Sequence, residues 1–140
     1  MKTIIAATDF TEMGRNAVNY AADFSVAGGY NLTIVHIVSV PLAFSEVPDV
    51  AYNRSEMISN AEDAMNRLKE EMAQRTGNKI RIFSEVKEGD VVAEIESVCR
   101  EVHPVLLVMG AESGNPFERL FMGSHTFSTV KQTKVPVLVI

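Results

Sequence analysis

Apolar residues fall along this chain in two patterns. Short, nearly unbroken runs occur at Thr3–Ala7, Asn31–Val38, 105–109 and 135–140. Runs of that length with little polar alternation read as strands buried on both faces, as in a parallel sheet. Between them, apolar positions recur at helical spacing. Met13, Ala17, Val18, Ala21, Ala22 and Ser25 form one stripe, which Gly28 and Gly29 terminate. Met57, Ala61, Ala64, Met65, Leu68 and Met72 form a second, ended by Gly77, with a solvated face of Glu62, Asp63, Arg67, Lys69, Glu70 and Glu71 opposite. Residues 79–86 alternate Ile80, Ile82, Ser84 and Val86 with Phe83 on the other side, a more polar strand nearer an edge. Asp90 is a good N-cap for a helix over Val91–Val102 that turns Val92, Ile95, Val98, Cys99 and Val102 inward. A last helix spans about residues 124–133, and residues 39–53, with Pro41 and Pro48, read as a long connection.

The predicted order is β-α-β-α-β-α-β-α-β over one domain, residues 1–140. That is an α/β fold, an open doubly wound parallel five-stranded sheet with helices on both faces. Ligands of such sheets sit beyond the carboxyl ends of the strands, where strand order reverses. Three places qualify: Asp9 after the first strand, Ile37 and Val38 at the end of the second, and Gly110 after the fourth. If the first and fourth strands are neighbours, Asp9 and Gly110 flank one crevice.

Composition narrows the function classes. Apolar residues make up 46% and charged residues 22%, and the net charge of −5 gives no basic footprint for nucleic acid. No apolar run approaches the roughly 18 residues of a membrane span. The single cysteine, Cys99, excludes an internal disulfide and reads as a small core residue. With no signal-peptide pattern at the start, a cytoplasmic protein is expected. The three histidines and one cysteine show no metal-ligand spacing. His36, inside an apolar strand, reads as structural, and only His125 is placed near a ligand.

The candidate chemistry lies after the fourth strand. The run breaks at Gly110, crosses a glycine-bearing loop, and restarts as a helix at Gly123 and Ser124. A helix start presents free N–H groups and a favourable dipole to an anion, and glycine lets the backbone approach it. A P-loop lysine, a nucleophile elbow and a dinucleotide glycine motif are all absent. Without a lysine over bound phosphates or a water-activating base, fast hydrolysis of a phosphate ester is not expected, and no catalytic set emerges. The plainer alternatives are that Asp9 caps the first helix, alone or besides a ligand role, that Ser124 caps the last, and that Gly110 makes a turn. Arg119 is either a surface charge or a phosphate partner.

The whole chain resembles the universal stress protein family. The ATP-binding branch of that family has G-x2-G-x9-G-[S/T] after its fourth strand; here Gly110, Ser113 and Gly123-Ser124 stand at the matching distances, with Gly114 beside the replaced glycine. Ala7-Thr8-Asp9-Phe10-Thr11-Glu12 resembles the family's Pro-Thr-Asp-Phe-Ser-Glu start, His36-Ile37 its His-Val pair, and the strand from Val135 to its end at Ile140 the closing strand. The resemblance implies a Rossmann-like fold of the adenine nucleotide alpha hydrolase-like kind. It also implies an ATP-binding regulatory protein of the stress response. ATP would lie among Ala7, Thr8, Asp9, Ile37, Met109 and Gly110. Asp9 would accept from ribose hydroxyls and the Ile37 backbone would pair with adenine. Gly110 and Ser113 would let the loop wrap the ribose and phosphates, with Gly114 placed to take over the dihedral of the replaced glycine, and Gly123, Ser124, His125 and Thr126 would donate to the phosphates. Mg2+ is compatible with such a ligand, although no carboxylate cage is visible. The apolar closing strand, residues 135–140, implies a homodimer paired along that edge, or along the matching edge of a second, tandem domain. Ser113 motivates the alternative, a dimeric scaffolding module of the same fold that binds no nucleotide. An enzyme on a related fold is the third reading.

Overall fold

The computed structural model describes residues 1–39, 48–111, 129 and 133–140. Five parallel strands, β1 (Thr3–Ala7), β2 (Asn31–Val38), β3 (Ile82–Glu88), β4 (Leu106–Met109) and β5 (Val137–Val139), lie in the order β3-β2-β1-β4-β5. Helices α1 (Glu12–Gly28), α2 (Pro48–Arg75) and α3 (Val91–Val102) connect them. β1 is central. The chain leaves it toward β2 and β3, then returns through α3 to β4 on the other side, with Ala7 opposite Val35 and also opposite Met109. The reversal of strand order therefore falls between β1 and β4.

Period-two alternation divides the strand residues between two cores. Ile4, Ala6, Leu32, Ile34 and Val108 face α1 and α2, where Val18, Ala21, Leu68 and Met72 meet them. Ile5, Val35, Ile37, Leu107 and Met109 face α3 and pack on Ile95, Val98 and Cys99. Both faces are covered, so β1, β2 and β4 are the apolar runs expected of a parallel sheet. β3 is an edge strand and carries Phe83, 48% exposed.

Several details depart from the sequence expectations, among them the shorter β4 and β5. α2 begins at Pro48, inside the stretch expected to be a connection. Proline is well suited to a first helical position, because the N–H it lacks would have no partner there. β3 begins at Ile82, because Gly77 (φ 60°) and Asn78 (φ 56°) both turn left-handed at the end of α2 and the chain needs further residues to enter the sheet. Met57, expected on the inward stripe, is 46% exposed, and the buried stripe starts at Ala61. The N-cap of α1 is Thr11, whose side chain accepts from the Gly14 N–H, and not Asp9. Cys99 is buried as expected; burial first, and the Glu96 charge second, push its thiol pKa up.

α1 and α2 are joined at the surface by Arg15–Glu71 and by Arg75–Asp23, the latter with two hydrogen bonds of 2.8 Å. The bond from the Arg75 guanidinium holds the Asp23 carboxyl below its ordinary range. A carboxyl with a lowered folded pKa stabilises the fold above its unfolded value of about 3.9, and that contribution is lost as pH falls through the folded value. The side chains are 43% and 58% exposed, so solvent screening limits the pair to roughly 0.2–1 kcal/mol. Arg75→Gln is expected to cost that much at pH 7 and less at pH 2, below the unfolded value. Urea melts at the two pH values check this, and an equal loss at both would refute the electrostatic origin.

Candidate functional site

A cleft opens where strand order reverses, at the carboxyl ends of β1, β2 and β4. It encloses about 580 Å³ including its open mouth. Its walls come from four segments distant in sequence.

The first wall is the turn from Thr8 to Thr11. The Thr8 N–H donates to the Val35 carbonyl at 2.9 Å, extending the β1–β2 ladder by one bond. The chain then leaves the sheet, and two side chains fold back on their own backbone. The Phe10 N–H donates to Thr8 Oγ1 at 3.1 Å, and the Thr11 N–H donates to Asp9 Oδ1 at 3.0 Å. The Thr11 hydroxyl also donates to Asp9 Oδ1 and accepts from the Gly14 N–H at 3.3 Å. These i→i+2 bonds hold Phe10 at φ 64°, a left-handed conformation that costs a bulky residue about 1–3 kcal/mol. The result is an exposed Asp9 at the cleft, with Oδ1 committed to Thr11.

The second wall is the end of β2. His36 Nδ1 lies 2.7 Å from the Thr8 carbonyl, which can only accept, so the ring donates from that nitrogen. The ring also packs on Phe10, centroids 4.4 Å apart. His36 is the structural histidine expected, and it lines the cleft as well.

The third wall is Met109, Gly110 and Ala111 at the end of β4. Gly110 is present for space. A Cβ there would meet the Met13 carbonyl oxygen at 2.7 Å and Gly14 N at 3.1 Å, so the strand end packs directly on the backbone of the first turn of α1. Val91 and Ile95, from the first turns of α3, add apolar surface beside Ile37 and Met109. Asp90 caps that helix through a 3.0 Å bond from the Ala93 N–H.

This arrangement suits a flat, largely apolar group held between Ile37, Met109, Val91 and Ile95, with hydroxyls presented to Asp9. Among the described residues no group of three or more His, Cys, Asp or Glu side chains is placed to hold a metal ion.

A family model described as the universal stress protein family matches residues 1–140. The chain belongs to the universal stress protein family. It is 26% identical over 144 residues to Universal stress protein MJ0531 of Methanocaldococcus jannaschii, covering 99% of this chain and 81% of that protein. Its fold is that of universal stress protein UspA from Lactobacillus plantarum, with a TM-score of 0.84 and 22% identity over 99% of this chain and 97% of that one. A universal stress protein from Archaeoglobus fulgidus in complex with dAMP shares the fold at a TM-score of 0.69 and 15% identity, covering 100% and 97% of the two chains. Among the described residues no helix is long and apolar enough to cross a membrane.

Of the residues expected at the site from sequence, Ala7, Thr8, Asp9, Ile37, Met109 and Gly110 all line this one cleft. Ser113, Gly114, Arg119, Gly123, Ser124, His125 and Thr126 lie outside the described residues. Sequence reasoning missed Gly14, Val91, Ile95 and the cleft face of His36. Gly14 did carry a signal: it stands in the first turn of a helix where most residues would be better helix formers. Val91 and Ile95 had none, because periodicity cannot distinguish a residue facing the core from one just past the sheet edge.

Proposed function

We propose that this universal stress protein is a regulatory protein of the stress response that binds an adenine nucleotide of the ATP class in the cleft beside β1 and β4. The observation that carries the reading is an apolar slot with the exposed Asp9 carboxylate at its rim, placed at the point of strand reversal. Adenine fits between Ile37, Met109, Val91 and Ile95, where buried and half-buried apolar side chains offer flat contact and the Ile37 backbone is the proposed pairing edge. Asp9 accepts from the ribose. Gly123, Ser124, His125 and Thr126 are the proposed phosphate donors, with Ser113 and Gly114 in the wrapping loop and Mg2+ on the phosphates. The dAMP held by the Archaeoglobus protein, a member of the same fold, supports adenine as the base. We read the chain as a single cytoplasmic domain without a catalytic set.

The test is to denature protein purified without added nucleotide and analyse the supernatant by anion-exchange chromatography, then titrate the protein calorimetrically with Mg-ATP. Retained adenine nucleotide or saturable heat is expected. An empty supernatant followed by a flat titration at millimolar ATP overturns the reading and favours the scaffolding module. The same reading pairs two copies along β5, whose outer edge meets no other strand among the described residues. A monomer in sedimentation at tens of micromolar rejects that pairing.

A further inference from the structure

We infer that Gly14 is a positioning residue for the Asp9 carboxylate: its missing side chain is the space that lets Asp9 lie at the cleft with Oδ1 bonded to Thr11. This rests on the nucleotide-binding reading for its consequence, though not for its geometry. Gly14 is buried in the first turn of α1. A Cβ on it would stand 2.5 Å from Asp9 Oδ1, 2.8 Å from Thr8 Oγ1 and 3.1 Å from Asp9 N. The first two distances are shorter than real Cβ contacts, so something must shift. The Asp9 carboxylate is exposed and ends a rotatable side chain, whereas Thr8 is 7% exposed and its hydroxyl accepts from the Phe10 N–H. The carboxylate therefore moves first, and in moving it gives up both bonds from Thr11.

Glycine is an unfavourable choice here on helix propensity alone. Its Cβ-free face meets the two cleft side chains on one side, while its N–H both bonds Thr11 Oγ1 and lies against Gly110. One residue without a side chain thus serves the carboxylate and the strand end together.

The experiment is Gly14→Ala in the full chain, with Asp9→Ala and the double variant completing a cycle. Alanine favours the helix, which offsets the small shifts asked of the exposed Asp9 carboxylate and of the Thr8 hydroxyl, so the melting temperature is expected to stay near that of the parent. Three further results are expected. The Thr11 amide resonance shifts upfield and exchanges faster without any ligand, because its acceptor has moved. ATP affinity falls about tenfold, and the preference for ATP over 2′,3′-dideoxy-ATP shrinks with it. The double variant binds ATP no more weakly than Asp9→Ala alone, since both changes remove one interaction. A general structural effect would leave the hydroxyl preference intact and add to the Asp9→Ala loss.

An unmoved Thr11 amide overturns the inference, as does an unchanged hydroxyl preference in a variant that binds ATP. If the parent chain binds no ATP, the function proposed above fails, and the Thr11 amide still decides whether Gly14 positions Asp9. A Gly14→Ala chain that does not fold would be judged through the double variant: refolding on removal of the Asp9 carboxylate supports the clash, and continued misfolding refutes it.

Discussion

Gly110→Ala is expected to lower the stability of the fold by about 1–3 kcal/mol, the usual cost of forcing a methyl into a packed site. For a domain of this size that is a fall of roughly 3–12 °C in melting temperature. The contact is with backbone: the Met13 carbonyl oxygen at 2.7 Å and its carbon at 2.9 Å. No rotamer change can relieve it, so the end of β4 and the start of α1 must separate. Gly110 does not adopt a left-handed φ, so backbone strain contributes nothing to this expectation. Separation would also widen the cleft, because Gly110 forms one wall and the turn leading into α1 forms another. Nucleotide affinity should therefore fall together with stability, in contrast to Gly14→Ala, where only affinity falls. Thermal melts and calorimetry on the two variants check the contrast. An unchanged melting temperature for Gly110→Ala would show that the strand and helix ends are not in firm contact.

Asp9→Asn is expected to weaken adenine nucleotide binding tenfold to a hundredfold and to leave stability unchanged. The asparagine oxygen can still accept from the Thr11 N–H and hydroxyl, so the turn keeps its bonds. The second carboxylate oxygen becomes an amide, which cannot accept from a ribose hydroxyl. A hydrogen bond to a charged group contributes about 1.5–3 kcal/mol, which sets the size of the loss. Calorimetric titration reads it directly. Equal affinities in parent and variant would place the ribose away from Asp9 and remove that residue from the site, while leaving the apolar slot as a binding place for the base.

Much of this was legible from the order of residues alone. The bounds of β1, β2 and α3 read from the sequence are those observed, because short apolar runs with little polar alternation suit two-sided burial and because Asp90 is an unambiguous cap. The apolar face of α3 and the burial of Cys99 followed from helical periodicity. Local signals were weaker where several residues could do one job. Thr8, Asp9 and Thr11 are all able to cap a helix, and only the folded turn assigns the cap to Thr11 and leaves Asp9 at the cleft. The start of α2 was hidden because Pro48 suits a loop and a first helical turn equally.

The sequence by itself determined the class of fold and the alternation of strands and helices, since these depend on neighbours within a few positions; six of the cleft residues were named from the strand ends and from the family resemblance. Tertiary structure decided that β4 lies against β1, about 100 positions away in the chain, and so that Asp9 and Gly110 share one crevice. It also decided that Gly14 must lack a side chain, that His36 holds the Thr8 carbonyl, and that Val91 and Ile95 face the cleft. Each of these is a contact between segments remote in sequence, set by strand order and by how closely two backbones approach, and no local pattern of residues encodes such a distance.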